Sequence, residues 1–532
     1  MTEKSKPLIL VSLLLAAFAI NLDTTIVNVA LPSLDTELHA SERQLQWVVD
    51  AYNLVFAAFI LAAGSLSDKA GRKGTLLAGL GVFGAASLVG GFAANPGELI
   101  AARAVMGLGA ALVFPATLSL ISNVFTARAE RARAIGLWGA TGGIAIALGP
   151  IIGGWLLSGF SWSSIFYAMT PVALLAAVLV GRFVPSSRDP EAAPLDTAGF
   201  ALSTAAMSVL VFTLIEAPAE GWASARTLGG LALAAVLLVG FAIREARARA
   251  PMIDLAIFAN LRFTAASVSV TISFFTLLGF IFLMTQYFQF IKQYSALSTG
   301  VHLLPVAASV GISSVLGTKL AVRAGTKLIV GVGLLMVAAF YGWVSASIGP
   351  TFPYSTIAIQ MVLYGTGMGF TSAPATEAIM GAVPTAKAGA GSAINDATRL
   401  LGGTLGVAVI GSVFASTYAA RLGGTLPAHL PSAVASGARA SVGQALGLAR
   451  QLAAGGQARL AEGLHDSAIR SFDHGLSVGC LVAACVAAAG AALAFALLPA
   501  QPLTQPAEMG VEDVGPGPFL ASASRVAAET GG

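Results

Sequence analysis

The sequence predicts an all-α protein that crosses a membrane many times, and three observations carry that expectation. Of 532 residues, 56% are apolar and only 10% are charged, where an ordinary soluble domain carries roughly 25% charged residues. Mean hydropathy is +0.82. The apolar residues fall into long runs with short polar gaps, and crossing ~30 Å of hydrocarbon takes about 20 such residues in a helix. A water-soluble chain and a disordered one are both excluded by this balance.

Taken in order, about fourteen runs meet that length. The first six cover residues 8–30, 45–66, 75–94, 98–122, 134–158 and 163–184. Two follow at 198–216 and 226–243, and six more at 263–288, 298–318, 327–347, 354–378, 393–418 and 474–498. Met1 to Pro7 and the apolar residues after it resemble a signal peptide, but the run continues past Ala17-Phe18-Ala19 to about Ala30. That length fits an uncleaved first span.

An even number of spans puts both termini on one side, and basic residues say which. Lys4, Lys6, Lys69, Arg72, Lys73, Arg128, Arg131 and Arg133 occupy the first alternate gaps, and Arg244, Arg247, Arg262, Lys319, Arg323 and Lys327 continue the series. The short gaps opposite hold only Arg43, Arg226 and Lys292. Positive residues stay inside, which predicts cytoplasmic termini and a cytoplasmic (inner) membrane location. The net charge of +4 is a topology signal on this reading, with no nucleic-acid partner implied. The long gap 419–473 alternates Ala and Leu with Arg, Gln and Glu, a pattern for short amphipathic external helices. The tail 499–532 is rich in Pro, Gly and Ala and is expected to be disordered.

One short echo bears on organisation. Lys69-Ala-Gly71-Arg-Lys73 follows span 2, and Arg323-Ala-Gly325-Thr-Lys327 follows span 10. Transporters are often built from weakly similar repeats. The echo fits a six-helix bundle at 8–184, a linker with two extra helices at 185–262, and a second bundle at 263–498.

Two soluble-enzyme motifs fail on context. Gly79-Leu-Gly81-Val-Phe-Gly84 lies inside span 3 with no strand before it, and Gly475-Leu-Ser477-Val-Gly479 opens span 14. Small residues that let helices pack closely account for both. The chain contains no Gly-Lys dipeptide, so the usual P-loop lysine is missing and no bound cofactor is implied. Cys480 and Cys485 match neither a metal nor a disulfide pattern.

Charges inside spans are the informative residues, because each costs at least ~2.5 kcal/mol at the bilayer centre and marks a functional candidate. Asp23 is the first, beside the polar face of Asn21, Thr24, Thr25 and Asn28. Asp50 lies at similar depth in span 2 and either faces Asp23 or sits at the interface with Trp47 and Tyr52. Arg103 needs a carboxylate, for which Asp23 is available, or else it snorkels to the outer surface. Glu377, Asp396 and Arg399 cluster by topology at the cytoplasmic end, with Asp396 and Arg399 spaced i,i+3, and form either a gate lock or a plain structural salt bridge. Span 9 carries Phe274, Phe275 and Tyr287 among many aromatics. They either line a site for flat, apolar cations or pack against lipid.

These residues resemble a known family, the 14-span drug:proton antiporters of the major facilitator superfamily. Leu22-Asp-Thr-Thr-Ile-Val-Asn-Val-Ala-Leu-Pro32 is similar to that branch's helix-1 signature, and Gly64-Ser-Leu-Ser-Asp68-Lys-Ala-Gly71-Arg72-Lys73 to the loop 2–3 motif. Gly149-Pro150-Ile-Ile-Gly153-Gly154 looks like the helix-5 antiporter motif. Pro374-Ala-Thr-Glu377, Gly391-Ser-Ala-Ile-Asn395-Asp396-Ala-Thr-Arg399 and Trp47-Val-Val-Asp50 look like the quaternary-ammonium exporter branch. Ala145, Met106 and Trp162-Ser-Ser-Ile-Phe166 depart from the usual patterns. None of the three touches Asp23.

The resemblance implies two six-helix bundles plus two inserted central helices, rocking about a midplane site. It implies proton coupling at Asp23 with Arg103 and Asp50, and substrate contacts from Asp23, Asp50, Phe274, Phe275 and Tyr287. It assigns gating to Gly64, Asp68, Gly71, Arg72, Lys73, Gly149, Pro150, Gly153, Gly154, Glu377, Asp396 and Arg399. Asp68 would cap the start of span 13, and Arg72 and Lys73 would pair with acids across the gate. The implied activity is export of small amphipathic, often cationic compounds by a monomer driven by the proton-motive force. An importer, a single-substrate exporter and a non-transporting receptor are the rivals.

Overall fold

The computed structural model describes residues 6–125, 128–187, 196–248, 255–347, 349, 352–382, 388–426, 430 and 432–499. Every element among them is helical. The first six helices are α1 (Lys6–Leu38), α2 (Glu42–Ala70), α3 (Arg72–Gly91), α4 (Pro96–Val124), α5 (Arg128–Gly159) and α6 (Ser163–Phe183). A pair follows, α7 (Thr197–Glu220) and α8 (Ala225–Arg247). After a short 3-10 turn at Leu255–Ala259 come α9 (Leu261–Gln286), which widens into a π-helical turn at Tyr287–Ile291, and α10 (Ala296–His302). Then come α11 (Leu304–Ala324), α12 (Thr326–Ser347), α13 (Tyr354–Ala382) and α14 (Ala388–Thr425). The chain closes with α15 (Ser432–Ala440), α16 (Val442–Ala454) and α17 (Ala458–Leu497). The tail from residue 500 onward lies outside the described residues.

Eleven helical segments are long and apolar enough to cross a membrane. Three more helices, α2, α5 and α13, reach 29, 32 and 29 residues but are not among those eleven. Local chemistry starts several of them. Ser41 and Gln44 form a reciprocal cap at the head of α2, and Asn95 accepts from the Glu98 N–H at the head of α4 with Pro96 next in line. Such residues satisfy amides that a helix start leaves without partners. Asp196 caps α7 and reaches Arg244 at the end of α8 at 3.0 Å. The Gly199 N–H and then Arg244 hold its carboxyl below the usual carboxylate range.

Helices α1 to α6 pack mainly on one another, as do α9, α11, α12, α13, α14 and α17. The α7–α8 pair leans on α2 and α14 through α7. Along α8, Leu228, Leu233, Val236 and Val239 are exposed, as suits a helix facing lipid. Glycines set the closest approaches within a group. A Cβ at Gly79 would lie 2.9 Å from the Gly109 carbonyl, and one at Gly109 would lie 2.7 Å from the Phe83 amide. The glycines that mimic a dinucleotide motif therefore serve helix packing between α3 and α4.

The echo found in the sequence forms the same turn twice. Gly71 between α2 and α3 has φ 116°, and Gly325 between α11 and α12 has φ 89°. Each amide donates four residues back, to Ser67 and Ala321 respectively. Only glycine adopts such angles without strain.

The two groups of helices meet at the end away from Lys6 of α1 and Leu497 of α17. There Gln289, on the π-helical turn, donates to the Val29 carbonyl of α1 at 3.0 Å. Gln286 of α9 reaches Glu42 of α2 at 3.3 Å. The α15–α16 hairpin grips both groups: Ser441 Oγ and the Gly443 N–H donate to Asp35 of α1, while Tyr418 of α14 donates to Ala438 and Ser441 carbonyls. The sequence predicts short helices across 419–473; there α14 runs on to Thr425, the hairpin supplies two short helices, and α17 starts at Ala458 and continues unbroken into the last span.

Candidate functional site

The site is built on the middle of α1. Helix α1 is buried over most of its surface, so its one midspan carboxylate cannot reach water. Asp23 is 0% exposed, and its Oδ2 accepts from Arg103 Nη1 of α4 at 2.5 Å, an ion pair with both side chains fully enclosed. Arg103 is held at two further points. Its Nε donates to the Val48 carbonyl of α2 at 3.0 Å, and its guanidinium lies 4.3 Å from the Tyr52 ring centre. Tyr52 donates back to the Ile20 carbonyl at 3.2 Å. Arg103 thus joins α1, α2 and α4 and does not snorkel outward. Asp23 Oδ1 and Arg103 Nη2 have no partner, so the pair retains one free acceptor and one free donor.

Asp50 does not face Asp23. It stands two positions before Tyr52, about 160° round α2 at ~100° per residue, and Tyr52 is the residue turned to α1. Asp50 is buried, and neither of its oxygens has a hydrogen-bond partner. The two carboxylates occupy separate environments and share no proton in this arrangement. Asp50 is enclosed by protein and does not reach solvent.

The helix-5 glycines make a flat wall. A Cβ at Gly149 would strike Thr25 and the Ile26 backbone, and one at Gly153 would lie 2.9 Å from Ile26 Cγ1. On the other side of α5, a Cβ at Gly154 would lie 2.5 Å from the Ala296 carbonyl of α10. Gly300 of α10 meets the Pro150 carbonyl equally closely. Helix α5 continues through Pro150; α10 leads directly into α11 and its His302 carbonyl accepts from Tyr354 of α13 at 3.0 Å, so backbone touches backbone between the first group and a helix tied to the second. Close approach of this kind depends on small residues.

Other expected gating contacts differ. The side chain of Asp68, residues 383–387 and the side chains of 388–393 at the start of α14, which it would cap, lie outside what the structure describes. Gly64 is half-buried, with Pro115 Cβ at an ordinary 3.8 Å from its Cβ position. The Arg72 amide donates to the Ser187 carbonyl at 2.9 Å. Lys73 donates to the Gly181 carbonyl of α6 at 2.8 Å instead of pairing with an acid. Glu377 is exposed and joins neither Asp396 nor Arg399. Arg399 donates to Thr376 Oγ1 at 3.0 Å and lies 5.3 Å from the Phe274 ring. No ion pair links it to Asp396 among the described residues, because helix-turn spacing does not fix which way a long guanidinium turns.

The three span-9 aromatics do not line one site either. Phe274 sits under Arg399, while Tyr287 lies 13 residues on, about 20 Å along a helix. Tyr287 donates to the Gly349 carbonyl at 2.9 Å and stacks on Phe472. Phe275 is buried, its carbonyl against Gly406 of α14. A different cluster exists, which sequence reasoning missed. Phe280 of α9, Phe340 and Tyr341 of α12 and Tyr364 of α13 bring their rings to 4.7–5.8 Å of one another. Tyr341 donates to the Thr276 carbonyl at 2.6 Å. The separate aromatics of spans 11 and 12 are the only sequence signal for it.

A multi-pass helical protein with a buried ion pair at the core of one helix group is built as a secondary transporter. Residues 13–407 match the Major Facilitator Superfamily, and the chain belongs to that family. It is 36% identical over 413 residues to the multidrug resistance protein Stp of Mycobacterium tuberculosis, covering 78% of this chain and 76% of that protein. It is 33% identical over 481 residues to the multidrug efflux pump LfrA of Mycolicibacterium smegmatis, covering 90% and 94%. A solved bacterial homologue of the human lysosomal transporter Spinster, inward-facing and occupied, shares the fold with TM-score 0.63 at 17% identity, covering 94% and 98%.

Proposed function

We propose that this protein exports hydrophobic, often cationic compounds across the cytoplasmic membrane in exchange for protons. The observation that carries the reading is the fully enclosed Asp23–Arg103 pair, set in a chain whose relatives over most of its length are named as drug-resistance and efflux proteins. A charged pair withdrawn from water is expensive to build for stability alone. It is useful where protonation of the acid releases the base. Protonation of Asp23 from outside breaks the ion pair and leaves Arg103 held by Val48 and Tyr52 alone, and arrival of a cation from the cytoplasm displaces the proton. The chain works as a monomer with both termini in the cytoplasm, powered by the proton-motive force with no bound cofactor.

The test is ethidium efflux from cells lacking their own exporters. Wild type lowers cell-associated ethidium; Asp23→Asn and an uncoupler each abolish that effect. Efflux that survives Asp23→Asn at wild-type rate removes Asp23 from the coupling path. A second expected result concerns voltage. With two protons exchanged per monovalent cation, a potential of about 150 mV adds ~3.5 kcal/mol, roughly 300-fold in gradient. Voltage-independent flux at a fixed pH gradient reduces the stoichiometry to one.

A further inference from the structure

Helix α2 carries a second feature that the Asp23 site does not use. Glu42, Gln46, Asp50 and Asn53 are spaced by four, four and three residues, which sets all four on one helix face. The file is about 16 Å long at 1.5 Å per residue. All four side chains are buried. The outer two meet the second helix group: Gln286 Nε2 of α9 donates to Glu42 Oε2 at 3.3 Å, and Ser412 Oγ of α14 donates to Gln46 Oε1 at 3.4 Å. Gly411 leaves room for the Gln46 amide, since a Cβ there would lie 2.7 Å from Nε2.

The file is rich in polar atoms without partners. Glu42 Oε1, Gln46 Nε2, both Asp50 oxygens, both Asn53 polar atoms and Gln286 Oε1 are all buried and have no hydrogen-bond partner among the described residues. Each such atom carries a desolvation cost that an apolar residue would avoid. Away from the file, Leu45, Val48 and Tyr52 of α2 are sealed in apolar and aromatic contact. A seam between two helix groups that keeps two carboxylates and two amides in line is suited to moving protons. Glu42 sits at its outer end. Asp35 of α1 and Tyr418 of α14 are the titratable groups facing it, Gln286 of α9 is neutral, and neighbouring Arg43 turns away to Glu216 of α7. Among the described residues, Asp50 has no ion-pair or hydrogen-bond partner.

We propose that Glu42 is the proton-loading carboxylate of this transporter and feeds Asp50 along the α2 file. This rests on the proton-antiport reading above. When the helix groups part at the far end, Glu42 takes a proton from external water. Water admitted beside the Gln46 amide passes a proton to an Asp50 oxygen, and Glu42 returns to its carboxylate form. The net step moves one proton from bulk water to Asp50.

The test uses purified full-length protein in lipid vesicles with ethidium as the probe. One arm measures ethidium-driven proton release over a range of external pH; the other measures ethidium–ethidium exchange at equal pH, which needs no net proton transfer. Glu42→Gln and Gln46→Leu are expected to slow the proton arm about a hundredfold, the low end for a positioned proton-transfer group. Exchange stays within about twofold of wild type in both. Glu42→Gln also flattens the pH profile, and Glu42→Asp restores it. A wild-type rate and pH profile in Glu42→Gln overturns the proposal. So does loss of exchange alongside proton release in both variants, which reduces the file to packing. Wild-type exchange with no proton release brings down the antiport reading itself, a distinct failure.

Discussion

Arg103→Met is expected to abolish efflux and to lower stability by about 3–5 kcal/mol, the cost of leaving a buried charge uncompensated. Asp23 has no other ion-pair partner and no exposure, so nothing nearby replaces the guanidinium. The single variant also loses the Val48 hydrogen bond and the Tyr52 ring contact, the latter worth roughly 0.5–2 kcal/mol. Removing both charges tells the contributions apart. Asp23→Asn with Arg103→Met eliminates the stranded carboxylate and is expected to recover most of the lost stability, since neutral replacements of buried pairs are often near neutral. Efflux stays absent in the double variant, because the proton site has gone. Arg103→Lys is intermediate: one ammonium cannot hold Asp23 and Val48 with the fixed fork of a guanidinium. Thermal unfolding in detergent and ethidium efflux read the two quantities separately. If Arg103→Met unfolds at the wild-type temperature and still pumps, the pair is neither structural nor coupled to transport.

How far the site could be read from sequence depends on what each residue needed to be known. Asp23 and Arg103 were legible because charge in an apolar run is rare and costly whatever it faces. The glycines at 149, 153, 154, 71 and 325 were legible as well, since a missing side chain matters through backbone approach or a positive φ. Rotation about a helix axis was not legible. Counting residues gave Asp50 the depth of Asp23, but only the packing of Tyr52 against Arg103 reveals that Asp50 turns the other way. The same gap explains Phe274 and Tyr287, which share a helix but lie about 20 Å apart. It explains Glu377 too, which topology put beside Arg399 and the structure leaves exposed. The polar residues after Ala30 read as the end of span 1, yet α1 runs on to Leu38. Asp35 is accommodated there by Ser441 and Gly443 from a segment some 400 residues later, a partner that no local pattern announces.

The contact between α5 and α10 yields the other large effect. Gly154→Leu forces a side chain into the Ala296 carbonyl and the Leu297 backbone, each only 2.5 Å from where its Cβ would stand. Backbone cannot rotate away as a side chain would, so overpacking of about 1–3 kcal/mol is expected. That strain falls only on a state in which the two helix groups touch at the far end. If the groups rock apart during transport, the variant favours the opened state by roughly tenfold to hundredfold, at ~1.4 kcal/mol per tenfold. A cysteine at Ser412, buried against Gln46, reports this in a background with Cys480 and Cys485 replaced by serine. Its reaction with an impermeant maleimide should accelerate at least about tenfold in Gly154→Leu. Gly109→Leu is the control. It overpacks α4 against α3 within one helix group, where Phe83 and Gly79 backbone atoms lie within 2.9 Å. It should therefore lower stability without speeding the labelling. Equal labelling in both variants would mean that the α5–α10 contact persists throughout the cycle, and gating must then be sought in the α15–α16 hairpin that holds Asp35.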